Sequence, residues 1–244
     1  MTAPTRFRSI FVSDTHLGSR KALAEPLLQF LERSHSEFLY LVGDIADVWD
    51  RSETSRWPAT HTAVLELVRD RARSGTHVHY LPGNHDRGLD HWMSREVQAR
   101  VSREHEHRSA DGRRLLVLHG DHFDRVVSGW TWLSRIGDTC AAAIDRIGSL
   151  FAQLLPSSPA PGGATRVKQL CKRVLGYTGT FERKALADAR RRDVDGVICG
   201  HIHDPACRQV DGLFYGNDGD WVQSCTALVE HEDGRFELLE CRPR

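Results

Sequence analysis

The chain has 244 residues, with 33 basic and 33 acidic side chains and a formal net charge of zero when the histidines are neutral. A chain of this length buries enough apolar surface to hold one large domain without disulfides or other staples. The balanced charge excludes a strong overall field that would attract nucleic acid, so we favour no nucleic-acid partner.

The cysteines and the apolar segments indicate a cytoplasmic protein. Six cysteines are scattered without a Cys-x-x-Cys spacing, which argues against a zinc ribbon and against a disulfide framework. The stretch from Met1 to Arg8 contains no long apolar segment of the kind found in secretory signals. The sequence also has no run of about 18 apolar residues with which to span a bilayer.

Strands and helices alternate in the first half of the sequence. Short apolar runs predict strands, and apolar residues three and four positions apart predict helices. These patterns predict strands at 8–12, 38–42, 78–81 and 115–118, and helices at 22–33, 63–72 and 92–101. Further along, they predict a strand at 194–199 and antiparallel strands from 209 to 239, with turns at Asp211-Gly212 and Asp233-Gly234. Such alternation is typical of an α/β fold with ligands at the carboxyl ends of its strands.

The segment between these two parts has no strand signal. From about Ser128 to Asp188 the apolar residues follow a helical period, interrupted by the Pro- and Gly-rich stretch 156–163. We therefore predict a single domain over residues 1–244 with a helical cap insertion at about 128–180. One part of it is amphipathic and basic, which suits either a lipid-binding cap near a membrane surface or a helix that only packs on its neighbours.

Five apolar runs each end in a cluster of Asp, Asn or His. The clustered side chains are Asp14, His16, Asp44, Asn84, His119, His201 and His203. A mixture of carboxylate, amide and imidazole groups suits Mn²⁺, Fe²⁺ or Zn²⁺. Seven such groups are too many for one ion and are reasonable for two ions that share a bridge. Two ions about 3.5–4 Å apart can hold an attacking hydroxide and clamp phosphoryl oxygens.

These residues also resemble a known family, the calcineurin-like metallophosphoesterase superfamily. Its motifs Asp-x-His, Gly-Asp-x-x-Asp, Gly-Asn-His-Asp, His-Gly-Asp and Gly-His-x-His occur in this order between Asp14 and His203. The resemblance implies a four-layer α/β/β/α sandwich and a dinuclear metal-dependent phosphoric ester or diphosphate hydrolase that uses a metal-bridging hydroxide. Mn²⁺ is the expected ion, with Fe²⁺ or Zn²⁺ as alternatives.

The resemblance also implies a role for each clustered residue. Asp14, His16 and His203 would hold one metal; Asn84, His119 and His201 would hold the other; Asp44 would bridge them. His85 would act as a catalytic residue on the scissile phosphate, and Asp86 would orient it. Further candidates for supporting a ligand or binding substrate are Asp47, Asp121, His122 and Lys168. For the first three of these candidates, a loop or solvated surface role remains an equal alternative.

Within the superfamily the chain is similar to the UDP-2,3-diacylglucosamine diphosphatases. The similarity lies in Ser-Asp-Thr-His-Leu-Gly, in Tyr-Leu-Val-Gly-Asp-Ile-Ala-Asp-Val-Trp, in the helical insertion and in the stretch Asn217–Trp221. It implies cleavage of a nucleotide-linked diacyl sugar into UMP and the lipid A precursor lipid X, with peripheral contact at the cytoplasmic face of the inner membrane. The best-known members carry Arg where this chain has His85, which places it in a related branch.

Other functions are also compatible with the motifs. A phosphodiesterase, a nuclease or a phosphoprotein phosphatase of the same superfamily would carry the same ligand pattern. A non-catalytic scaffold could keep the fold, although retention of all seven clustered residues and His85 argues against it.

Overall fold

The computed structural model describes residues 4–47, 57–86, 88–125 and 176–242. Its strands are β1 (Thr5–Val12), β2 (Ser34–Leu41), β3 (His77–Tyr80), β4 (Arg100–Val101), β5 (Glu104–Arg108), β6 (Arg114–Leu118), β7 (Gly196–Cys199), β8 (Ala206–Val210), β9 (Leu213–Asn217), β10 (Thr226–Glu230) and β11 (Phe236–Glu240). Its α-helices are α1 (Ala24–Arg33), α2 (Ala59–Arg73), α3 (Asp90–Trp92), α4 (His122–Arg125) and α5 (Tyr177–Arg191).

The strands form two mixed sheets. The first has six strands in the order β11-β10-β1-β2-β3-β4, and the second has five in the order β5-β6-β7-β9-β8. Strands β1 to β4 run parallel, as do β6, β7 and β9, whereas the strands at the remaining edges are antiparallel to their neighbours. All carboxyl ends of the parallel strands in a sheet lie along one edge, which gathers the loops that follow them.

The two sheets pack face to face through an apolar core. Alternate residues of a strand point to opposite faces, so one set from each sheet meets between them. The buried members of this core are Phe11, Tyr40, Val42, Leu81, Leu115, Val117, Ile198, Phe214 and Leu228. The rings of Phe11 and Tyr40 stack at 4.6 Å between centroids, which fixes neighbouring strands of the first sheet.

The opposite face of the first sheet is covered by α1 and α2. Ile10 and Leu39 on this face belong to the same buried cluster as Leu27 and Leu31 of α1 and Val64 of α2. Burying each such side chain contributes about 1.5–3 kcal/mol, so this layer anchors the strands that lead into the clustered residues. On the second sheet, Leu116 and Val197 face away from the inter-sheet core and are also buried. The predicted α/β fold with two packed sheets is confirmed.

Two compact units divide the chain, one of residues 1–121 and 185–244 and the other of residues 122–184. Within the smaller unit the rings of Phe123 and Phe181 lie 5.5 Å apart, and the Lys184 ammonium donates to the Phe123 carbonyl at 2.8 Å. The predicted cap insertion at 128–180 falls mostly outside the described residues, so its helices and the single-domain organisation stay predictions. Among the described helices, none combines the length and apolar character that crossing a membrane requires.

One predicted helix differs from the structure, and one strand was not predicted. The helix predicted over 92–101 is wrong in its second half, because a π-helical turn over Met93–Val97 follows α3 and then stops at Gln98, whose φ is 62°. Arg100–Val101 then pairs with β3 as a strand. Strand β5 was not predicted, because its buried residue is His107 rather than an aliphatic side chain and the sequence Glu-His-Glu-His-Arg carries no apolar alternation.

Candidate metal centre

The loops that follow the parallel strands are joined by hydrogen bonds. The amide of Asp14 donates to the carbonyl of Gly43 at 3.0 Å, and the amide of His16 donates to the carbonyl of Asp44 at 3.0 Å. The loop after β7 joins them, because the amide of His201 donates to the Asp14 carboxylate at 2.8 Å. Residues from both sheets are thereby held against Asp14.

Five of the seven clustered residues have a left-handed backbone. The φ angles are 50° at Asp14, 45° at His16, 51° at Asp44, 69° at His201 and 52° at His203. This conformation is unfavourable for residues other than Gly, and such residues concentrate at functional sites. The strained backbone occurs at the residues that follow the strands and direct their side chains toward a common point.

The clustered side chains form two close groups. Asp14, His16 and His203 bring one nitrogen or oxygen atom each within 4.8 Å of one another, and so do Asp44, His119 and His201. In the first group, Nε2 of His203 lies 3.0 Å and Nε2 of His16 3.9 Å from Oδ1 of Asp14. In the second, Nε2 of His119 lies 3.4 Å from Oδ2 of Asp44.

Asp47 joins a third group with His16 and His85. Its Oδ1 lies 2.8 Å from Nδ1 of His16 and 3.2 Å from Nδ1 of His85. The hydrogen bond that the His85 ring donates to Asp47 raises the pKa of His85 above its ordinary value. A carboxylate on Nδ1 fixes the tautomer and orientation of an imidazole, so Asp47 directs Nε2 of His16 toward Asp14.

Asp86 is buried between two of the loops. Its carboxylate accepts hydrogen bonds from the amide of Ile45 at 2.8 Å and from the amide of Gly83 at 2.7 Å. It therefore ties the loop after β2 to the loop after β3. Asp47 lies against the His85 ring, and the expectation that Asp86 orients His85 stays a prediction.

Two glycines allow the loops to approach this closely. A Cβ on Gly83 would lie 2.2 Å from Oδ1 of Asp44, and a Cβ on Gly200 would lie 2.2 Å from Oγ of Ser13 and 2.6 Å from Oδ2 of Asp14. Real Cβ atoms do not come this near to other heavy atoms. The glycines of Gly-Asn-His-Asp and Gly-His-x-His are therefore required by the packing of the acidic side chains.

Sequence reasoning missed the residues that support Asp14. The hydroxyl of Ser13 lies 2.5 Å from Oδ2 of Asp14 and 2.5 Å from Oδ1 of Asp218. Burial raises the pKa of Asp218 well above its ordinary value, and the Ser13 hydroxyl links the Asp218 carboxyl group to that of Asp14. Asn217 also donates to the Gly200 carbonyl at 2.8 Å. The polar stretch 217–221 marks Asn217 and Asp218 as candidates in the sequence, although it does not indicate their partners.

Two buried atoms in the cluster test whether it fits a metal. His119 donates through Nδ1 to the carbonyl of Val42 at 2.8 Å, which leaves the lone pair on Nε2. Neither this Nε2 nor Oδ1 of Asn84 has a hydrogen-bond partner within the part of the chain that the structure describes. Buried polar atoms without partners are rare and costly, and the His119 Nε2, which lies 3.4 Å from the Asp44 carboxylate, suits a cation. The donor set therefore fits divalent ions.

The carboxylates are kept charged by the same surroundings. Burial raises the pKa of Asp14, but the neighbouring His203 and His119 outweigh it and hold the pKa below its ordinary value. Burial also raises the pKa of Asp44, but the contact with His119 outweighs it and holds the pKa below its ordinary value. Both side chains are thus anionic at neutral pH, as ligands of a cation must be.

The remaining candidates lie elsewhere or are not described. Asp121 is partly buried just after the loop that carries His119, and His122 is exposed at the start of α4. Lys168 lies outside the described residues. The roles considered for these three side chains stay predictions.

Comparisons with known proteins agree with this geometry. A family model described as calcineurin-like phosphoesterase matches residues 7–205. A protein of Xanthomonas campestris pv. campestris (strain B100) named UDP-2,3-diacylglucosamine hydrolase is 30% identical over 241 residues, covering 93% of this chain and 96% of the relative. One of the same name from Porphyromonas gingivalis (strain ATCC BAA-308 / W83) is 32% identical over 130 residues, 50% of this chain and 49% of the relative.

Solved structures with a similar course of the chain were also found. A phosphoesterase from E. coli superposes with a TM-score of 0.45 and 16% identity, covering 96% of this chain and 99% of the other.

Proposed function

The chain belongs to the calcineurin-like phosphoesterase family and is a metal-dependent phosphoester hydrolase, and from this we propose that it cleaves a diphosphate or phosphodiester bond at the strand-end cluster. The observation that carries this proposal is a pair of buried atoms that have no hydrogen-bond partner among the described residues, Nε2 of His119, 3.4 Å from the Asp44 carboxylate, and Oδ1 of Asn84. A divalent cation would satisfy lone pairs and a carboxylate of this kind together.

The grouping of the side chains supports two metal sites. Asp14, His16 and His203 would hold one ion, and Asn84, His119 and His201 would hold the other, with Asp44 shared between them. When bound, two divalent ions supply a water of lowered pKa and positive charge for the phosphoryl oxygens. Mn²⁺ suits this mixture of oxygen and nitrogen ligands, with Fe²⁺ or Zn²⁺ as alternatives.

His85 is the residue proposed to act on the substrate directly. Asp47 holds its Nδ1, so the opposite ring nitrogen is the one that can reach a leaving-group oxygen. Its side chain is 41% exposed, which keeps it accessible to substrate. The contact with Asp47 raises the pKa of His85, which favours the protonated ring that a general acid needs to give a proton to the departing oxygen.

The proposed substrate is UDP-2,3-diacylglucosamine, cleaved to UMP and 2,3-diacylglucosamine 1-phosphate. The names of the relatives support this choice. A water attacks one phosphorus, the bond to the bridging oxygen breaks, and that oxygen leaves with the other phosphate. A diacyl substrate resides in a membrane, so the protein would work at the cytoplasmic face of the inner membrane as a peripheral enzyme.

A substrate panel tests the proposal. We would compare kcat/KM for UDP-2,3-diacylglucosamine, UDP-glucosamine without acyl chains, single-stranded DNA and a phosphopeptide, each with added Mn²⁺. We expect the diacyl substrate to give the highest value, with UMP and the sugar phosphate released in equal amounts. A higher value for DNA or for the phosphopeptide would replace the proposed substrate. A lack of turnover for the whole panel and for a nitrophenyl phosphodiester would refute the catalytic role.

A further inference from the structure

Two cysteines lie opposite each other at the end of the β10–β11 ladder in the first sheet. Thr226 of β10 pairs with Glu240 of β11, so the next residues outward, Cys225 and Cys241, face each other across the two strands. The amide of Cys241 donates to the carbonyl of Cys225 at 2.8 Å, which continues the ladder by one step. Both thiols are free in the structure.

This arrangement suits a disulfide between the two side chains. Opposite residues joined by a ladder hydrogen bond have Cα atoms about 5.5 Å apart, and disulfides span Cα distances of about 4.4–6.8 Å. Both side chains contact the same apolar cluster beneath α1, with Cys225 buried and Cys241 partly buried. Opposite Cβ atoms lie about 4.5–5.5 Å apart in a ladder and about 3.5–4.5 Å apart in a disulfide, so a bridge would draw the strand ends together by roughly 1 Å.

The pair also ends the loop that lies behind Asp14. This loop, residues 218–225, connects β9 to β10. The amide of Trp221 donates to the carbonyl of Asp14 at 3.1 Å, and the amide of Thr226 donates to the carbonyl of Asp220 at 3.3 Å. Cys225 has a φ of 53°, in the small left-handed region, so its own backbone has little freedom to absorb a displacement. A movement of Cys225 is therefore passed along the loop toward Asp14.

Burial determines how the two thiols react. Cys241 is the more exposed of the two, so a soluble oxidant reaches it first. Burial raises the pKa of Cys241 to about 12 and also raises the pKa of Cys225. Because the thiolate is the attacking form, oxidation is slow at neutral pH and faster in alkaline solution. The pair responds to sustained oxidation rather than to a brief pulse.

We infer that Cys225 and Cys241 form a thiol–disulfide switch whose oxidation displaces the loop 218–225 from Asp14. The thiolate of Cys241 attacks one sulfur of a small disulfide such as oxidised glutathione, and one glutathione thiolate leaves. The thiolate of Cys225 then attacks the Cys241 sulfur, forms the protein disulfide and expels the second glutathione. The protein loses two protons and two electrons, and the oxidant becomes two thiols. Weaker metal binding at Asp14 is the consequence, and this last step rests on the proposed metal centre.

Mass analysis tests whether the disulfide forms. The native chain is incubated with oxidised glutathione in mildly alkaline buffer, and the oxidant is then removed. The product should have lost the mass of two hydrogen atoms, and peptide mapping should link Cys225 to Cys241. Cys241→Ala should not form the link, with Cys241→Val as a second variant if Ala destabilises the fold. Cys207→Ala is the matched control, because Cys207 lies opposite Gly216 and should not affect the link.

Hydrogen exchange and metal affinity test the effect on the loop. In the oxidised chain the amide of Trp221 should exchange faster, because its hydrogen bond to Asp14 is weakened. The Kd for Mn²⁺ should rise about 10–100-fold, the usual effect of disturbing a partner of a metal ligand. Dithiothreitol should reverse both changes, and the oxidant should cause neither in Cys241→Ala.

The outcomes separate the switch from the proposed function. If neither redox form binds Mn²⁺, the metal centre fails, whereas the mapped disulfide and the faster exchange still establish the switch. No link between Cys225 and Cys241 after prolonged oxidation would overturn it. A linked chain whose Trp221 amide exchanges as in the reduced chain would overturn it too, as would an oxidant effect that persists in Cys241→Ala.

Discussion

At the level of single side chains, Ser13 explains how a buried carboxylate is aimed. Its hydroxyl and the amide of His201 hold Oδ2 of Asp14, which leaves Oδ1 facing His203 and His16. Asp218 completes this arrangement from β9 through Ser13. Neither Ser13 nor Asp218 could be assigned a role from the sequence, because a contact across 205 positions leaves no local pattern.

Replacement of Ser13 tests this support. Ser13→Ala should lower the affinity for Mn²⁺ about 10–100-fold, as is usual when a partner of a metal ligand is removed. The measurement is a titration in competition with a chelator. Ser36→Ala removes another buried hydroxyl, distant in sequence from the cluster, and should leave the affinity unchanged. An unaltered affinity in Ser13→Ala would show that Asp14 needs no such support.

Replacing His85 should lower the rate of the reaction without lowering the metal content, unlike replacing a metal ligand. His85→Ala should lower kcat by about 10²–10⁴-fold, the usual contribution of a general acid or base, while the metal content stays normal. Rates on a nitrophenyl phosphodiester and elemental analysis of the same sample provide both values. If metal content and rate fall together, His85 supports the loop rather than the reaction.

His79, in β3, makes the stability of the fold depend on pH. Burial, with nearby positive charge from His105 and Arg100, lowers its pKa to about 4 from 6.5. Between pH 6.5 and pH 4, His79 is protonated in the unfolded chain but not in the folded chain. The free energy of unfolding therefore falls as the pH decreases toward 4. His79→Phe keeps the stacking on Tyr40, at 4.8 Å in the native chain, and removes this loss.

Urea unfolding at pH 7 and pH 4 measures the difference. We expect His79→Phe to lose about 3 kcal/mol less stability between the two pH values than the native chain does. His35→Phe, at an exposed position of β2, should behave like the native chain. The same loss in native and His79→Phe proteins would mean that other groups cause the acid sensitivity.

At the level of elements, the carboxyl ends of the strands determine where the site lies, and the loops that follow them orient its side chains. The apolar runs predicted β1, β2, β3, β6 and β7, and the polar residues after them gave the candidate ligands. The left-handed φ of Asp14 or His203 could not be predicted, since it results from hydrogen bonds between loops of different strands. The stop at Gln98 and the strand pairing of Arg100 likewise depend on β3, a neighbour in space.

The close approach of the loops leads to a test at Gly83. Gly83→Ala would place a methyl group on Asp44, so it should abolish metal binding and destabilise the fold by several kcal/mol if the loop cannot shift. Gly179→Ala is the control, because a Cβ there meets nothing within 4 Å and α5 should gain about 0.5–1 kcal/mol. Thermal unfolding with and without Mn²⁺ measures both variants. Normal metal binding in Gly83→Ala would contradict the packing argument.

At the level of the whole molecule, two sheets bring distant parts of the sequence to one place. Asp14 and Asp44 come from the first sheet, and His119, His201 and His203 come from the second. The order of strands in each sheet could not be derived from the sequence, because β9 returns between β7 and β8 and β10 returns beside β1. Local patterns implied an α/β fold with ligands at the carboxyl ends of its strands, whereas the four-layer α/β/β/α sandwich came from the family resemblance.

The central claim is that this cluster is a two-metal centre, and the number of ions bound per chain tests it most directly. Equilibrium dialysis against Mn²⁺, followed by elemental analysis of a catalytically active sample, should give two ions per chain. Asp44→Asn removes the anionic bridge between the two groups and should lose most of the bound metal together with the activity. One ion or none in a fully active native sample would contradict the account.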